Sequence, residues 1–317
     1  MRVFAWAMVG FTFAFILNNY LVIWRGWPGA GRLVEGALEG PVLIQAALYA
    51  LGILLGIAWV RRRPDEPLRG DAARLSGVVR FMIRAAFWAV LLIGLVDTAI
   101  SFLRVEGMLN AVIGDELGGR MDFSRNRGPM VHYPLVLVGI VIAALTRGML
   151  AVHWLALCVV LAELVIVMSR FIFSYEQAFM GDLVRFWYGA LFLFASAYTL
   201  AEDGHVRVDV LYAGFTDRRK GMVNAIGTIL LGLTFAWVIL ALGMAGRSSI
   251  INAPLVTYEI TQSGFGLYVK YLMAGFLAVF AVSMVVQFCA YLLESVADWR
   301  GDPGSRLRAH DDELPVS

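Results

Sequence analysis

Two carboxylic acids lie inside apolar stretches that are long enough to cross a membrane, and they are the first candidates for chemistry. Asp97 lies deep in the third such stretch, and Glu163 lies near the middle of the fifth. Because an ionisable group is costly in hydrocarbon, residues of this kind commonly serve proton relays or ion pathways. Neither has a histidine or a second carboxylate beside it in sequence, which favours instead a polar pair that fixes helix packing. The candidate partners for such a pair are Arg84, Ser169 and Asn18.

Side chains that commonly bind metals or attack substrates are few and scattered. The four histidines are His132, His153, His205 and His310. The first two lie near the edges of apolar stretches, the third in a loop and the fourth in the C-terminal tail. A membrane haem usually needs two inward histidines, and a catalytic zinc needs about three close ligands. Cys158 and Cys289 lie in apolar stretches, as small buried side chains do. With no phosphate-binding or hydrolase motif either, the sequence predicts no cofactor, no metal site and no enzymatic activity.

The composition is that of a membrane protein. Of the 317 residues, 60% are hydrophobic and 16% are charged, whereas soluble domains carry about 25% charged residues. The mean hydropathy is +0.74. The formal net charge is only +2, and the basic residues lie mostly in the loops. This pattern orients a membrane protein, and it argues against nucleic-acid binding.

Eight apolar stretches have the length of a membrane-spanning helix. A hydrocarbon core about 30 Å thick needs about 20 residues at 1.5 Å each, and long continuous runs are typical of helices rather than of barrel strands. The predicted spans are 3–24, 41–60, 81–103, 131–146, 149–173, 183–200, 222–245 and 267–293. The chain is therefore predicted to be an all-α, polytopic membrane protein. The first span is expected to stay in the protein, because it is longer than the core of a signal peptide.

Spans four and five are separated only by Thr146-Arg147-Gly148. We expect a tight helical hairpin at this point, and one long bent helix is the alternative.

Two longer connections are also distinctive. Residues 61–67 contain two prolines and mixed charge, which end a helix. Residues 104–130 are rich in glycine and charge, and within them residues 105–117 form a candidate amphipathic piece on the membrane surface.

The distribution of basic residues predicts the orientation of the chain. With the N-terminus inside, the cytoplasmic loops and ends carry fifteen lysines and arginines, whereas the opposite loops carry nine. Positive charge collects on the cytoplasmic side of membrane proteins. Both termini are therefore predicted to be cytoplasmic.

The most informative stretch spans residues 181–211. An acidic residue and an arginine, Asp182 and Arg185, come just before an apolar run. A glycine turn follows that run, and the charged residues after it alternate with valines. These charged residues are His205, Arg207 and Asp209. The alternation suits an extended or interfacial segment, although a solvated loop fits the spacing equally well.

This stretch resembles the signature of the DctQ family, the small permease subunits of TRAP transporters. In that family an acidic segment with an arginine begins the second core span, and a Gly-His-hydrophobic-Arg-Val-Asp turn closes it. Three further features occur here in the family's order: an aromatic segment with an arginine at 168–173, Glu259 before a loop, and a Tyr/Lys start of the last span that includes Lys270. The resemblance covers residues 150–295. The chain departs from the family pattern in three ways. It has only one acidic residue before the second span and no proline at the start of the last span, and it carries four additional N-terminal spans.

The resemblance implies three segments and a function. The segments are a four-span membrane extension at 1–148, a DctQ-like four-helix membrane domain at 149–295 and a polar cytoplasmic tail at 296–317. The implied function is that of a scaffold subunit in a binding-protein-dependent, sodium-coupled importer of organic acids or related small solutes in the bacterial inner membrane. The implied partners are a large, DctM-like permease subunit, a periplasmic solute-binding protein and membrane lipids. The residues implied to anchor loops and the subunit interface are Asp182, Arg185, His205, Arg207, Asp209, Glu259 and Lys270.

Two other functions are alternatives. A membrane anchor of a respiratory enzyme would bind haem or quinone, and it would need histidines within its spans. A self-sufficient transporter or channel would use carboxylates such as Asp97 and Glu163. The two halves of the chain show no internal repeat, which makes this last alternative the weaker one.

Overall fold

The computed structural model describes residues 1–146, 153–202, 210–260 and 266–304 of the chain. The helices are α1 Arg2–Arg25, α2 Gly40–Arg61, α3 Leu68–Val105, α4 Leu109–Ile113, α5 Asp115–Met121, α6 Ser124–Arg127, α7 Tyr133–Leu145, α8 His153–Phe173, α9 Ala178–Ala201, α10 Asp217–Gly227, α11 Thr234–Gly243, α12 Asn252–Thr257 and α13 Lys270–Arg300. The π-turns Gly128–His132 and Thr228–Leu233 join α6 to α7 and α10 to α11, and a 3-10 turn occupies Ala30–Leu33. The described residues contain no β-strand.

Eight of the helical segments are long and apolar enough to cross a membrane, and they match the eight predicted spans one for one. Helix α6 with α7, and α10 with α11, each count as one span because the π-turns keep them continuous. The helices extend beyond the apolar runs: α3 begins at Leu68 and α9 at Ala178. Polar residues can continue a helix outside the hydrocarbon core, where water satisfies their side chains. The prediction of an all-α, polytopic membrane protein is confirmed.

The helix ends follow local chemistry. Helix α1 stops at Gly26, which takes a left-handed conformation (φ 69°) that suits glycine at a helix C-terminus. The segment predicted to be amphipathic at 105–117 is divided by Gly114, whose φ of 86° ends α4 and precedes α5. The expected single surface piece is therefore two short helices.

The chain divides into two compact units. Unit 1 is Met1–Val79, Thr199–Ala241 and Ala281–Ser317, and unit 2 is Arg80–Tyr198 and Leu242–Phe280. Each unit contains residues from both sides of the boundary predicted at residue 148. That boundary and the hairpin predicted between spans four and five fall at residues 147–152, outside the described residues, and both remain predictions, as does the cytoplasmic location of the termini.

In unit 1, α1 and α2 approach each other at glycines. A Cβ atom on Gly10 would overlap the backbone carbonyl of Gly52, and a Cβ atom on Gly56 would overlap the backbone of Trp6. Small residues let membrane helices approach this closely, which maximises van der Waals contact between them. Trp237 of α11 packs on α1 and donates its indole N–H to the Met8 sulfur at 3.1 Å.

An arginine cluster in unit 1 ties the start of α3 to the end of α13. The Arg69 guanidinium donates to Glu294 at 2.5 Å and to Asp298 at 2.7 Å. It also donates to the backbone carbonyls of Asp302 and Pro303. Because one planar guanidinium satisfies four acceptors, this contact fixes the position of α3 relative to the last turns of α13 more strictly than a single exposed ion pair would.

In unit 2, α3 packs closely against α7 and α9. A Cβ atom on Gly139 of α7 would lie within 3 Å of the Ala89 backbone, so these two helices touch at their backbones. The Trp187 indole of α9 donates to the Val90 carbonyl of α3 at 3.3 Å. These contacts bring α3, α7 and α9 around the segment that leads into α13.

Candidate functional site: a buried ion-pair cluster at the start of the last helix

The segment just before α13 is held by carboxylates from two other helices. The Leu267 backbone N–H donates to Asp182 of α9 at 3.1 Å, and the Tyr268 N–H donates to Asp97 of α3 at 2.9 Å. Both N–H groups come from buried residues. Backbone N–H groups at a helix start have no partner inside the helix, and they attract negative charge. Two carboxylates therefore fix the point at which α13 begins.

Asp97 is the centre of this cluster. Its Oδ1 atom accepts from Arg127 Nη1 at 3.0 Å and lies 3.2 Å from His132 Nε2. The side chains of all three residues have no exposed surface. A carboxylate in hydrocarbon is stable only when it is paired and hydrogen-bonded, and Asp97 has three such partners when the Tyr268 N–H is included.

His132 links the ion pair to α13. Its Nδ1 atom lies 2.7 Å from the Tyr271 hydroxyl, and the two rings stack with centroids 5.8 Å apart. When Nε2 carries the proton, it donates to Asp97, and Nδ1 accepts from the tyrosine hydroxyl. Both ring nitrogens are then engaged, so this histidine has no free nitrogen for a haem iron or a metal ion.

The π-turn Gly128–His132 explains how Arg127 and His132 reach the same carboxylate. In a regular α-helix at 3.6 residues per turn, residues five apart lie about 140° from each other around the axis. A π-turn closes i→i+5 hydrogen bonds and brings such residues to nearly the same side. Pro129 lies at the start of this turn, and because it has no N–H it removes one backbone hydrogen bond where the helical spacing changes.

Tyr268 is surrounded by cationic side chains. The guanidinium carbons of Arg127 and Arg104 lie 4.1 Å and 4.6 Å from its ring centroid, within the range of cation–π attraction. The Arg104 guanidinium also hydrogen-bonds the tyrosine hydroxyl and the Gly266 carbonyl. The hydroxyl in turn donates to the Asp122 carbonyl at 2.8 Å. Backbone, ring and hydroxyl of one tyrosine are thus all fixed.

The outer rim of the cluster is exposed. Lys270 pairs with Glu259 at 2.5 Å, with both side chains more than two-fifths exposed. Arg185 pairs with Asp182 at 3.1 Å, and the arginine is largely exposed. Exposed ion pairs usually contribute about 0–1 kcal/mol, so the Lys270–Glu259 pair orients its side chains more than it stabilises the fold.

The structure brings together four of the site residues singled out from the sequence and separates another. Asp97, Asp182, Glu259 and Lys270 all lie around the start of α13, and Arg185 is attached to Asp182. Glu163 is separate, on the exposed surface of α8. The motif residues His205, Arg207 and Asp209 lie outside the described residues.

The partners of Asp97 differ from those suggested by the sequence. Arg84 donates to the Ala143 carbonyl at 2.9 Å, and Asn18 donates to carbonyls within unit 1. The actual partners are Arg127, which the sequence places in a loop, and His132, which it places at the edge of a span. The sequence nevertheless holds a usable signal, since Asp97 requires a cation, Arg127 directly precedes Gly-Pro, and His132 lies at the start of the span that follows.

This arrangement suits a structural brace. Asp97 accepts from Arg127 Nη1 and from the Tyr268 N–H, the ion pair is sealed from solvent, and Arg127 Nη2 is buried without a hydrogen-bond partner among the described residues. Among the described residues, no group of three or more His, Cys, Asp or Glu side chains is placed to hold a metal ion. The contacts of the cluster fix α3 and α9 to the start of α13.

Comparison with known proteins identifies one family. Residues 158–298 match the family model described as "Tripartite ATP-independent periplasmic transporters, DctQ component". The match covers a little under half of the chain and includes α9, α10, α11 and α12, about three-quarters of α8 and nearly all of α13. No curated protein and no solved structure matches the chain.

Proposed function

We propose, from the match of residues 158–298 to the DctQ component family of the tripartite ATP-independent periplasmic (TRAP) transporters, that this chain is the scaffold subunit of a sodium-coupled, binding-protein-dependent importer of organic acids or related small solutes. The family match at residues 158–298 is the observation that carries the proposal. The match supports a TRAP small permease subunit, a transporter component. The sodium coupling, the solute class and the scaffold role are the proposed part.

The geometry of the cluster supports the scaffold role. An ion pathway needs carboxylates that can exchange partners, whereas Asp97 accepts from Arg127 and from the Tyr268 N–H in a site without solvent exposure. Asp182 likewise accepts from the Leu267 N–H. Both carboxylates therefore hold a helix start in place, and we assign neither of them to substrate or sodium.

The four additional N-terminal spans contact residues 158–298, here called the family segment. Three residues from them, Asp97, Arg127 and His132, contact residues of the family segment directly. Arg69 makes a similar contact with Glu294 and Asp298. We propose that the extension braces α13 of the family segment from within this same chain.

The proposed partners follow from the family. They are a large, DctM-like permease subunit, a periplasmic solute-binding protein and the surrounding lipids, in a bacterial inner membrane. The large subunit would carry the substrate and sodium sites. A haem- or quinone-binding anchor is the less favoured alternative, because the family is a transporter component and both nitrogens of His132 have partners.

Uptake measurements in cells test this function. We expect deletion of this chain, with the large permease subunit and the binding protein still produced, to abolish accumulation of the transported solute. Supplying the wild-type chain from a plasmid should restore uptake, which controls for effects on neighbouring genes. Unchanged uptake in the deletion strain, with the large subunit present at its normal level, would refute the proposal.

A further inference from the structure

Helix α8 is the least covered of the eight membrane helices. Only 6% of its most apolar 18-residue window is buried, whereas the other seven have 17% or more. Leu155, near its first turn, is its one buried residue. A membrane helix with so little contact to its own chain presents nearly its whole surface to lipid or to another protein.

An acidic residue lies at the middle of this uncovered helix. Glu163 is ten residues from each end of α8, which places it about 15 Å from either end along the axis. Its side chain is exposed, and among the described residues no hydrogen bond or ion pair involves its carboxylate. A carboxylate at the centre of a bilayer is strongly unfavourable when it faces lipid. Its position therefore requires a polar partner other than the described residues of this chain.

Glu163 belongs to an outward-facing apolar stripe. The stripe consists of Val160, Leu164, Val167 and Phe171, whose exposed fractions are 62%, 50%, 48% and 79%. Their spacing of four, three and four residues is the spacing at which helices pack side by side. Glu163 lies on the same side of the helix, three residues after Val160 and four before Val167.

The opposite side of α8 faces its own unit. Cys158, Ala162 and Ser169 line an apolar groove of about 730 Å³ whose other walls come mainly from α3 and α9. On a helix of 3.6 residues per turn, these residues lie about 180° from the stripe. The stripe with Glu163 therefore points away from the groove and from α3 and α9.

We propose that this face of α8, defined by Val160, Glu163, Leu164, Val167 and Phe171, is the docking surface for a transmembrane helix of the large permease subunit. The partner helix presents a cationic or hydrogen-bond-donating side chain to Glu163 at mid-membrane depth. This inference rests on the proposed function, which supplies the partner.

The chemistry of this face favours a helix of the large permease subunit over a lipid and over a second copy of this chain. A lipid acyl chain fits the apolar stripe, but it offers no donor to the carboxylate. A second copy of this chain in a two-fold symmetric pair would bring one Glu163 close to the other, because such an interface is self-complementary. Two like charges in hydrocarbon repel each other, so a helix of different sequence fits better.

Site-specific photocrosslinking in native membranes tests the surface. A benzoylphenylalanine residue replaces Val160 or Val167 in the full-length chain, and adducts are identified by mass spectrometry. The matched control is the same replacement at Leu54 of α2, which is 58% exposed and also lies within a span. We expect adducts with the large permease subunit from positions 160 and 167 and none from position 54.

Two variants test the role of the carboxylate. Because an interhelical hydrogen bond in a membrane is worth about 1–2 kcal/mol, Glu163→Leu should reduce capture of the large subunit by about tenfold. Glu163→Gln keeps an acceptor and should retain most of the capture. If the residue instead faces lipid, Glu163→Leu will leave capture unchanged and raise the yield of the protein.

The remaining outcomes distinguish a failure of the proposed docking surface from a failure of the proposed function. If the wild-type chain captures the large subunit but positions 160 and 167 give adducts only with lipid or with a second copy, the docking surface is wrong and the function stands. If the wild-type chain captures no large subunit, the proposed function fails first, and the inference fails with it.

Discussion

The variant Asp97→Ala is expected to lower the free energy of unfolding by about 3–5 kcal/mol, because it leaves the buried charge of Arg127 without its partner. The Arg127 side chain has no exposed surface, so water cannot replace the lost carboxylate. The Tyr268 N–H and His132 Nε2 lose an acceptor at the same time. Unfolding of the detergent-solubilised protein, followed during titration with a denaturing detergent, measures this change.

Two controls separate a buried ion pair from a general effect of removing charge. Glu116 pairs with Arg120 in an exposed i,i+4 contact, and Glu116→Ala should change stability by about 0.5 kcal/mol or less. The double variant Asp97→Leu with Arg127→Met removes both buried charges, and it should recover part of the loss. A double variant that is no more stable than Asp97→Ala would show that the two charges are not coupled.

Removing residues 1–148 is expected to have the second large effect. The family segment would then lose Asp97, His132 and Arg69, and with them the partners of Tyr268, Tyr271, Glu294 and Asp298. Since each buried polar group left unpaired costs about 1–3 kcal/mol, the yield of monodisperse protein should fall by about tenfold or more. Size-exclusion chromatography of equal amounts of membrane measures the yield.

Co-expression provides the control for the truncation. Residues 1–148 supplied as a separate chain should restore monodisperse protein, because the same contacts can form between two chains. The brace would be disproved if the segment from residue 149 onward were as abundant and as stable on its own as within the full chain.

The membrane architecture could be predicted from sequence because its cause is local. A run of about 20 apolar residues has to be a helix in a bilayer, whatever lies around it. All eight spans were therefore found, and the errors were confined to helix ends such as the start of α3 at Leu68. Such ends depend on polar residues outside the hydrocarbon, to which hydropathy is not sensitive.

The cluster could be predicted only in part, because its contacts join residues far apart in sequence. The cost of an intramembrane carboxylate marked Asp97 as a residue in need of a partner. The identity of that partner depends on the π-turn Gly128–His132, which turns Arg127 and His132 to one side. The family motif marked Asp182, but its bond to the Leu267 N–H joins residues 85 positions apart.

The central claim, that this chain is the small subunit of a TRAP importer, is tested most directly by capturing its partners. The tagged chain is purified from its native membranes in mild detergent, and the co-purifying proteins and the absorption spectrum are recorded together. We predict a large permease subunit in stoichiometric amount and no haem band. Recovery of the chain alone, or with dehydrogenase subunits and a haem band, would contradict this account.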